Sequence, residues 1–206
     1  MTTKRRTTEV RQIQIINAAR EMIVKNGSEH VTIRRIAKAV GISEAAIYRH
    51  FKSKADILYL LADHIEENLV GDIVQARMAH NFSLSTIDNV MRDHISAIEQ
   101  RQGLSHQVIA EIISLGNKKL NERFYEIVNK YIDNMAELIK QGMQAGELRN
   151  DIDPNIVAMQ LYGMIHGLVN VWSLSNFKFN LVERYSPLWE MFRTGIIQRS
   201  QIALHN

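Results

Sequence analysis

The sequence contains no cysteine, and it has only two prolines and ten glycines among its 206 residues. Without cysteine there is no disulfide framework, no thiolate metal site and no cysteine nucleophile. Proline and glycine interrupt helices, and their scarcity accompanies many residues that favour helices, such as Leu, Ala, Met, Glu and Lys. No strand pattern competes with this composition. The sequence therefore predicts an all-helical fold.

Motifs for catalysis are also absent. The sequence has no GxSxG nucleophile turn, no GxxxxGK phosphate loop, no HExxH zinc motif and no glycine-rich dinucleotide turn. Its eight histidines are scattered, and neither Asp93 with His94 nor Asp151 with Asp153 supplies enough ligands for a metal site. We therefore expect a protein that is not an enzyme, has no catalytic residues, binds no metal and needs no cofactor.

Signals for export or membrane insertion are likewise missing. No apolar run follows the basic residues near the N-terminus. The longest apolar stretch, residues 156–172, is interrupted by Gln160, His166 and Asn170 and barely reaches the length of a membrane span. This stretch is better read as a buried helix, and we expect a cytoplasmic protein with no membrane association.

Charge is distributed unevenly along the chain. Residues 1–55 hold 12 lysines and arginines against 4 acidic residues, a net charge of +8, whereas residues 56–206 have a net charge of −5. This asymmetry predicts a small basic domain, 1–55, and a larger acidic one, 56–206, and it indicates a polyanion as partner of the basic end. The basic residues 4–6 form either a disordered arm that touches DNA or an ordinary charged terminus.

Hydrophobic periodicity and capping residues predict a series of helices. The first covers residues 10–26 and ends at Asn26-Gly27, and two short helices follow, with Thr32 and Ser43 as N-caps. A longer helix starts at Ser53, where Asp56 completes a capping box, and reaches about residue 78. Further helices are expected near 84–101, 105–114, 118–145, 155–175 and 186–203, with a break over residues 176–187.

Residues 32–54 carry the main functional signal. Two short helices meet there across a tight turn at Gly41-Ile42, an arrangement that places the second helix in a DNA major groove. Residues on the inner faces of these helices can pack on the first helix: Ile33, Ile36, Ala37, Val40, Ile47 and Phe51. Residues on the outer faces are suited to phosphate oxygens and base edges: Arg34, Arg35, Lys38, Glu44, Ala45, Tyr48, Arg49 and His50.

Several short motifs stand in a fixed order in this region: Ala18-Ala19, Thr32-Ile33, Ile36-Ala37, Gly41-Ile42-Ser43, Ile47-Tyr48, His50-Phe51 and Lys52-Ser53-Lys54. With these motifs, residues 10–58 resemble the DNA-binding domain of the TetR/AcrR family of bacterial transcriptional regulators. The resemblance implies that Thr32, Ser43, Tyr48, His50 and Lys54 contact phosphates, while Glu44, Ala45 and Arg49 read the operator sequence. Arg49 is suited to guanine, and Glu44 either accepts a hydrogen bond from cytosine or repels phosphates.

The same resemblance implies a homodimer in which the last two helices pair with those of a second subunit. A twofold dimer is also expected because one short recognition helix reads too few base pairs. Gly163 and Gly167, four residues apart, allow close approach to a helix of the partner or of the same chain. The further interface candidates are Trp172, Leu188, Phe192 and Ile196.

The middle helices hold many soft apolar side chains, which either fill the core or line a ligand cavity of the kind that the family resemblance implies. These are Met91, Ile95, Ile109, Ile113, Phe124, Tyr125, Val128, Tyr131, Met159 and Tyr162, with His166 and Asn170 as polar groups that could orient a ligand. Lys118 and Lys119 lie in the first turn of a predicted helix, where the helix dipole disfavours cations, and Arg123 lies nearby. This cluster indicates an anionic effector such as an acyl-CoA or another acidic lipid.

These observations together predict a sequence-specific, DNA-binding transcriptional regulator. The expected protein is a homodimeric repressor that a small hydrophobic ligand releases from operator DNA. The alternative is a DNA-binding protein that acts architecturally or through a protein partner and responds to no small molecule. The sequence does not separate these two.

Overall fold

The structure is a computed structural model that describes residues 2–26, 30–79 and 82–198. The helices of this part are α1 (Thr2–Asn26), α2 (Ile33–Val40), α3 (Glu44–Ile47), α4 (Lys54–Met78), α5 (Leu84–Gln100), α6 (Leu104–Leu115), α7 (Lys118–Gln144), α8 (Pro154–Leu174) and α9 (Leu181–Ile196). Among these described residues there is no strand, and one isolated bridge pairs Leu148 with Ile197. The predicted all-helical fold is confirmed.

Most predicted helices lie within a residue or two of the observed ones, but the first begins earlier. Helix α1 starts at Thr2, so the basic residues 4–6 belong to a helix, and of the two alternatives for them the disordered arm is wrong. Contact of these residues with DNA stays a prediction. The predicted stop at Gly27 lies outside the described residues.

The last helix also differs from its prediction. Helix α9 begins five residues earlier than expected, because the Asn180 side chain accepts a hydrogen bond from the Glu183 amide at 2.8 Å and caps it there. Pro187 lies well inside this longer helix and is exposed. Since proline lacks an N–H, the helix loses a single hydrogen bond at this point. The described helix ends at Ile196, because Ile197 turns to extended backbone; positions 199–203 of the prediction lie outside the described residues.

The chain forms two compact units, and the first comprises Met1–Ile65 and Gly103–Tyr125. In this unit α1 contacts both α2 and α6, and α2 contacts α3. The core side chains of its first four helices are buried: Ile15, Ala19, Ile23, Ile36, Ala37, Ile47, Phe51, Ile57, Leu58 and Leu61. The helices of the basic end therefore owe their stability to this shared core, since helices as short as α2 and α3 are marginal alone.

The second unit comprises Glu66–Gln102 and Glu126–Asn206, so it contains α5, α8, α9 and most of α7. Its helices bury many large side chains, including Met91, Ile95, Tyr131, Met135, Leu161, Ile165, Tyr185 and Trp189. Two helix starts are capped by side chains from elsewhere in the unit. Glu147 accepts a hydrogen bond from the Leu84 amide at 2.6 Å, and Glu99 accepts one from the Leu181 amide at 2.9 Å. Such charged caps stabilise a helix by about 1 kcal/mol each.

Candidate DNA-binding site

The helix-turn-helix begins with a well-capped α2. The Thr32 hydroxyl accepts a hydrogen bond from the Arg35 amide at 3.2 Å and closes the N-terminus. Gly41 ends the helix with φ of 72°, a left-handed conformation that glycine adopts without strain. The Ile42 amide then donates to the Ala37 carbonyl at 3.0 Å. This turn places Ser43 at the start of the next helix.

Helix α3 is short, but a further helical turn follows its last residue, Ile47. The Ser43 hydroxyl accepts from the Ala46 amide at 3.2 Å, and the amides of His50 and Phe51 both donate to the Ile47 carbonyl, at 2.8 and 3.0 Å. Ile47 and Phe51 are buried. Because these two side chains anchor the inner face, the residues between and before them face outward, as the sequence predicted.

Seven of the nine predicted DNA-contacting residues are exposed: Thr32, Arg34, Ser43, Glu44, Ala45, Tyr48 and Arg49. His50 is half-buried. Exposure on one helix-turn-helix is the placement that a groove-reading surface requires. The roles of the individual residues in contacting DNA stay predictions.

Lys54, the ninth predicted contact, differs from the others because it is paired with a carboxylate. Its ammonium Nζ lies 2.5 Å from Oε1 of Glu111 on α6, and the two side chains are 23% and 12% exposed. The nearby carboxylate of Asp56 has a different role. It caps the start of α4 by accepting hydrogen bonds from the backbone amides of Lys52 and Ser53, at 2.6 and 3.2 Å. Sequence reasoning missed Glu111, which lies 57 positions along the chain from Lys54.

The predicted dimer residues differ in their exposure. Gly163 and Gly167 are exposed on α8, and a Cβ atom added at either would meet no atom within 4 Å. Trp172, Phe192 and Ile196 are buried within the chain itself, and the Trp172 indole donates a hydrogen bond to the Phe179 carbonyl at 2.8 Å. Leu188 is half-buried.

Four exposed apolar residues of α8 were not singled out as interface residues by the sequence. Ile156, Met159, Val171 and Leu174 stand in one row with the two glycines, at successive spacings of three or four residues, which is one face of a helix. Leu174 is 78% exposed, and on α9 Met191 is 75% exposed. We call this set the α8–α9 apolar face. A groove of about 300 Å³ lies at one end of it, between the start of α8 and the end of α9, with Ile156, Gln160, Met191 and Gly195 among its lining residues.

The twelve predicted pocket residues do not share one environment. Ile109, Ile113, Phe124 and Tyr125 belong to the first unit and the other eight to the second. Those buried in the structure are Met91, Ile95, Phe124 and Tyr131, and those half-buried are Ile109, Val128, Tyr162 and His166. Ile113, Tyr125, Met159 and Asn170 lie on the surface.

Aromatic side chains of the second unit form a connected series. The Tyr131 hydroxyl donates to the Met91 sulfur at 3.4 Å, and the Tyr131 ring meets the rings of His94 and Tyr162 edge-on, at centroid distances of 6.2 and 5.4 Å. The Tyr162 ring in turn lies 4.0 Å from that of His166. The structure therefore brings four of the predicted pocket residues together, Met91, Tyr131, Tyr162 and His166, and adds His94, which the sequence had weighed only as a metal ligand.

The pKa values show that His94, Tyr131 and Tyr162 are uncharged near neutral pH. Desolvation lowers the pKa of His94 to about 4, with a smaller effect of the positive charge on Arg101. Desolvation also raises the pKa of Tyr162 to about 12 and raises that of the buried Tyr131 further above its ordinary value. The interior of the second unit thus offers neutral hydrogen-bonding groups among apolar side chains.

The predicted cationic cluster is smaller than its sequence indicated. Arg123 donates from Nε and Nη2 to Asp63 Oδ1, at 3.0 and 2.7 Å. Lys118 lies 3.8 Å from Glu122 and is largely exposed, and Lys119 is also exposed. The structure therefore presents two lysines, rather than three cations, to solvent at the start of α7.

Within the described ranges, the acidic and histidine side chains form no group of three or more that could hold a metal ion. Within the same ranges, no helix combines the length and apolar character needed to cross a membrane.

Two families of known proteins match successive parts of the chain. Residues 15–59 match the family described as bacterial regulatory proteins, tetR family, and residues 61–195 match the family described as YsiA-like protein, C-terminal region. The nucleoid occlusion factor SlmA of Vibrio cholerae is 28% identical over 187 residues, covering 90% of this chain and 95% of that protein.

Two further comparisons concern a fatty acid regulator. The fatty acid metabolism regulator protein of Bacillus subtilis is 26% identical over 189 residues, covering 89% of this chain and 94% of that protein. The crystal structure of the transcriptional regulator FadR from Bacillus subtilis in complex with stearoyl-CoA matches with a TM-score of 0.74 and 26% identity, covering 89% of this chain and 98% of that one. The helix-turn-helix and the two family matches agree: the chain belongs to the tetR family of bacterial regulatory proteins and is a DNA-binding transcriptional regulator.

Proposed function

We propose that this regulator is a cytoplasmic, homodimeric repressor that leaves its operator when it binds an acyl-CoA. The observation that carries the DNA-binding part is the capped helix-turn-helix, whose predicted base-reading residues Glu44, Ala45 and Arg49 are all exposed. Arg49 supplies a forked donor for guanine, worth about 1 to 3 kcal/mol of discrimination against other bases. The small side chain of Ala45 allows the helix to approach the base edges closely.

The capping hydroxyls also serve the proposed phosphate contacts. Thr32 and Ser43 each accept one hydrogen bond from a backbone amide of their own helix. A hydroxyl that accepts in this way keeps its O–H as a donor. Thr32 and Ser43 can therefore hold the helix ends and donate to phosphate oxygens at the same time, with Arg34 and the exposed Tyr48 beside them.

The α8–α9 apolar face supports the proposed homodimer. Its row of Ile156, Met159, Gly163, Gly167, Val171 and Leu174 spans 18 residue steps, about 27 Å of helix. An apolar row of this length costs free energy while it faces water. Glycines within it permit close packing of a partner helix. A second copy of the chain would cover the face and set two recognition helices at successive major grooves.

Two observations support an acyl-CoA as effector. The Bacillus subtilis FadR structure, 26% identical to this chain, holds stearoyl-CoA. In this chain Lys118 and Lys119 are exposed at the start of α7, where the helix dipole adds to their positive field. The phosphates of an acyl-CoA are groups that such lysines bind, and its acyl chain suits helices rich in methionine and isoleucine.

The proposed release is a shift between two arrangements of the dimer. An effector that binds the arrangement unable to match successive grooves about 100-fold more tightly weakens operator binding by about 2.7 kcal/mol. Because the effector and the operator then favour different arrangements of the dimer, binding of the effector lowers the affinity for DNA, and binding of DNA lowers the affinity for the effector.

The DNA-binding part is tested with the purified protein and its own upstream DNA. Fluorescence anisotropy at several salt concentrations compares that fragment with a scrambled fragment of equal length. We expect the native fragment to bind at least about 1,000-fold more tightly near physiological salt. Equal and steeply salt-dependent binding to both fragments contradicts sequence-specific recognition.

The effector part is tested on the protein–operator complex. Acyl-CoAs of increasing chain length are added, with free CoA and the matching fatty acids as controls, and both DNA release and melting temperature are recorded. We expect long-chain acyl-CoA to release DNA and raise the melting temperature, and Lys118→Gln with Lys119→Gln to weaken this response. The matched control is Lys140→Gln with Lys178→Gln, which removes the same charge elsewhere. If acyl-CoA changes neither DNA affinity nor melting temperature, the effector proposal fails.

A second candidate function has its own support in the 28% identity to the nucleoid occlusion factor SlmA over most of both chains. Under this alternative the chain binds DNA and acts through a protein partner, without a small-molecule effector. The two candidates separate in a thermal-shift screen. A repressor of the proposed kind is stabilised by its ligand, by about 2.7 kcal/mol at 100 times the dissociation constant, whereas the alternative predicts no stabilising small molecule in the screen.

A further inference from the structure

We infer that Glu111 sets the affinity of this regulator for DNA by holding the Lys54 ammonium away from the phosphates. The inference rests on the proposed DNA contacts of the helix-turn-helix. Lys54 is the first residue of α4 and follows the recognition helix by a few residues, and Glu111 lies on α6. Their 2.5 Å contact is the feature that distinguishes Lys54 from the exposed DNA candidates.

The contact neutralises the charge that a phosphate would use. An ammonium and a carboxylate at this distance form a charge-assisted hydrogen bond, the stronger class of hydrogen bond in proteins. Both side chains are mostly shielded, at 23% and 12% exposure, so water screens their attraction less than that of a surface pair. A DNA phosphate must therefore displace Glu111 to gain Lys54, and it meets the negative charge of Glu111 as it does so.

The neighbouring carboxylates of α4 have other roles. Asp56 accepts from the backbone amides of Lys52 and Ser53, and Asp63 pairs with Arg123. Glu111 reaches Lys54 from α6, a helix that packs against α1 in the same unit. A change in the position of α6 would therefore alter the positive charge that the helix-turn-helix offers to DNA, with no change in the recognition helix.

The salt dependence of DNA binding shows whether the Lys54 ammonium neutralises a phosphate. Each phosphate that the protein neutralises steepens the plot of log affinity against log salt by about 0.9. Glu111→Gln keeps the shape of the side chain and removes its charge. We expect this variant to bind the native fragment more tightly and with a slope steeper by about 0.9 for each protomer on the DNA, or about 1.8 for a dimer. Between 50 and 200 mM salt, the affinity of the dimer would then fall about 12-fold more than that of the wild type.

Matched variants distinguish the release of Lys54 from a general effect of lost charge or altered folding. Glu122→Gln removes the same charge from the same unit, at an exposed residue near Lys118, and should leave the slope unchanged. Lys54→Gln alone should also leave the slope unchanged, because Glu111 already holds that ammonium. In the Glu111→Gln background, Lys54→Gln should remove the added slope. Thermal unfolding of each variant checks that the chain still folds.

Each outcome decides a separate point. An unchanged or shallower slope in Glu111→Gln overturns the inference, as does a steeper slope that persists after Lys54→Gln. A fall in slope for Lys54→Gln in the wild-type background also overturns it, because Lys54 would then already contact DNA, and this variant remains informative if Glu111→Gln does not fold. Wild-type protein that does not prefer the native fragment defeats the proposed function itself, which the inference needs.

Discussion

The two units distribute polar and apolar side chains in opposite ways. In the helix-turn-helix of the first unit, apolar residues such as Ile36 and Ile47 are buried and charged residues such as Arg49 face outward. In the second unit the α8–α9 apolar face points outward, while Tyr131 and Tyr185 lie in the interior. The first pattern is that of a surface that meets a charged, hydrated polymer. The second is that of a surface that is complete only when another apolar surface covers it.

In the interior of the second unit, Tyr185, Asp88 and Arg92 pair with one another. The Tyr185 hydroxyl donates to Asp88 at 3.1 Å, and desolvation together with this carboxylate raises the pKa of Tyr185 above its ordinary value. Arg92 completes the group by donating to Asp88 at 3.0 Å and to Ser186 at 3.1 Å. In this part of the second unit polar side chains therefore pair with one another, whereas those on the outer face of the helix-turn-helix are exposed.

The largest effect is expected from breaking the α8–α9 apolar face. Gly163→Leu combined with Gly167→Leu places bulk where a partner helix would approach, although the added Cβ atoms meet nothing within the chain. We expect a monomer by light scattering and a loss of operator affinity of about 100-fold or more, because a dimer binds two half-sites and a monomer one. Gly71→Leu, also at an open helical position, is the control. A double variant that stays dimeric and binds DNA normally refutes the interface.

A smaller effect is expected from pH. The pKa of His94 is lowered to about 4 in the folded protein, against about 6.5 in an unfolded chain. The folded state therefore resists protonation, so stability from this residue is intact above pH 6.5 and is lost as the pH falls toward 4. The loss between pH 7 and 4.5 is roughly 2 to 3 kcal/mol.

Urea unfolding at several pH values measures this loss. The slope with pH between 6.5 and 4.5 should be shallower in His94→Gln than in the wild type, whatever the variant's stability at pH 7. His64→Gln, at an exposed histidine, is the control for removing a histidine side chain. Parallel curves for the wild type and His94→Gln would show that His94 is solvated and charged in the folded state.

On the exposed face of the helix-turn-helix, substitutions of arginine can distinguish contacts to bases from contacts to phosphates. Arg49→Ala should reduce the preference for the native fragment over the scrambled one by about 2 kcal/mol, since a base contact carries sequence information. Arg34→Ala should weaken both fragments alike and make the salt slope shallower by about 1 per protomer, as expected for a phosphate contact. Anisotropy titrations measure both quantities. If Arg49→Ala loses affinity equally for both fragments, Arg49 contacts the phosphate backbone of the DNA and not its bases.

The smallest effect concerns packing in the second unit. A Cβ at Gly142 would lie 2.5 and 2.6 Å from ring carbons of Phe82 and 2.7 Å from Leu148 Cδ1. We expect Gly142→Ala to lower the free energy of unfolding by about 1 kcal/mol, because overpacking outweighs the better helix propensity of alanine. Gly71→Ala, with open space around its Cβ, should raise it by up to about 1 kcal/mol. Denaturant unfolding of both variants checks the opposite signs.

Local signals explain what the sequence could predict. The caps Thr32 and Ser43, the turn at Gly41 and the spacing of buried residues all act within a few positions of one another, so the helix-turn-helix was predicted with its inner and outer faces. The start of α9 was predicted five residues too late because a break was expected from Asn176 to Pro187, whereas Asn180 caps a helix that continues through this proline. Proline costs one hydrogen bond there, and the packed side of the helix outweighs it.

Contacts between distant positions explain what the sequence could not predict. Arg123 seemed part of a cationic cluster until the fold placed Asp63, 60 positions away, against it, and Lys54 is paired in the same way with Glu111. Apolar periodicity likewise marks a helix face without saying what covers it. Trp172 and Phe192 are covered by the chain itself, whereas Ile156 and Leu174 are not.

The caps that join α5 to α9 form a closed circuit. Glu99, at the end of α5, caps the start of α9. The end of α9 is bonded to the segment after α7, where the Arg149 amide donates to the Ile196 carbonyl at 2.9 Å and the Gln198 amide to the Glu147 carbonyl at 3.1 Å. Glu147 then caps the start of α5. Opening any link removes support from the next, so the ends of α5 and α9 should exchange their amide hydrogens as one cooperative group instead of fraying separately.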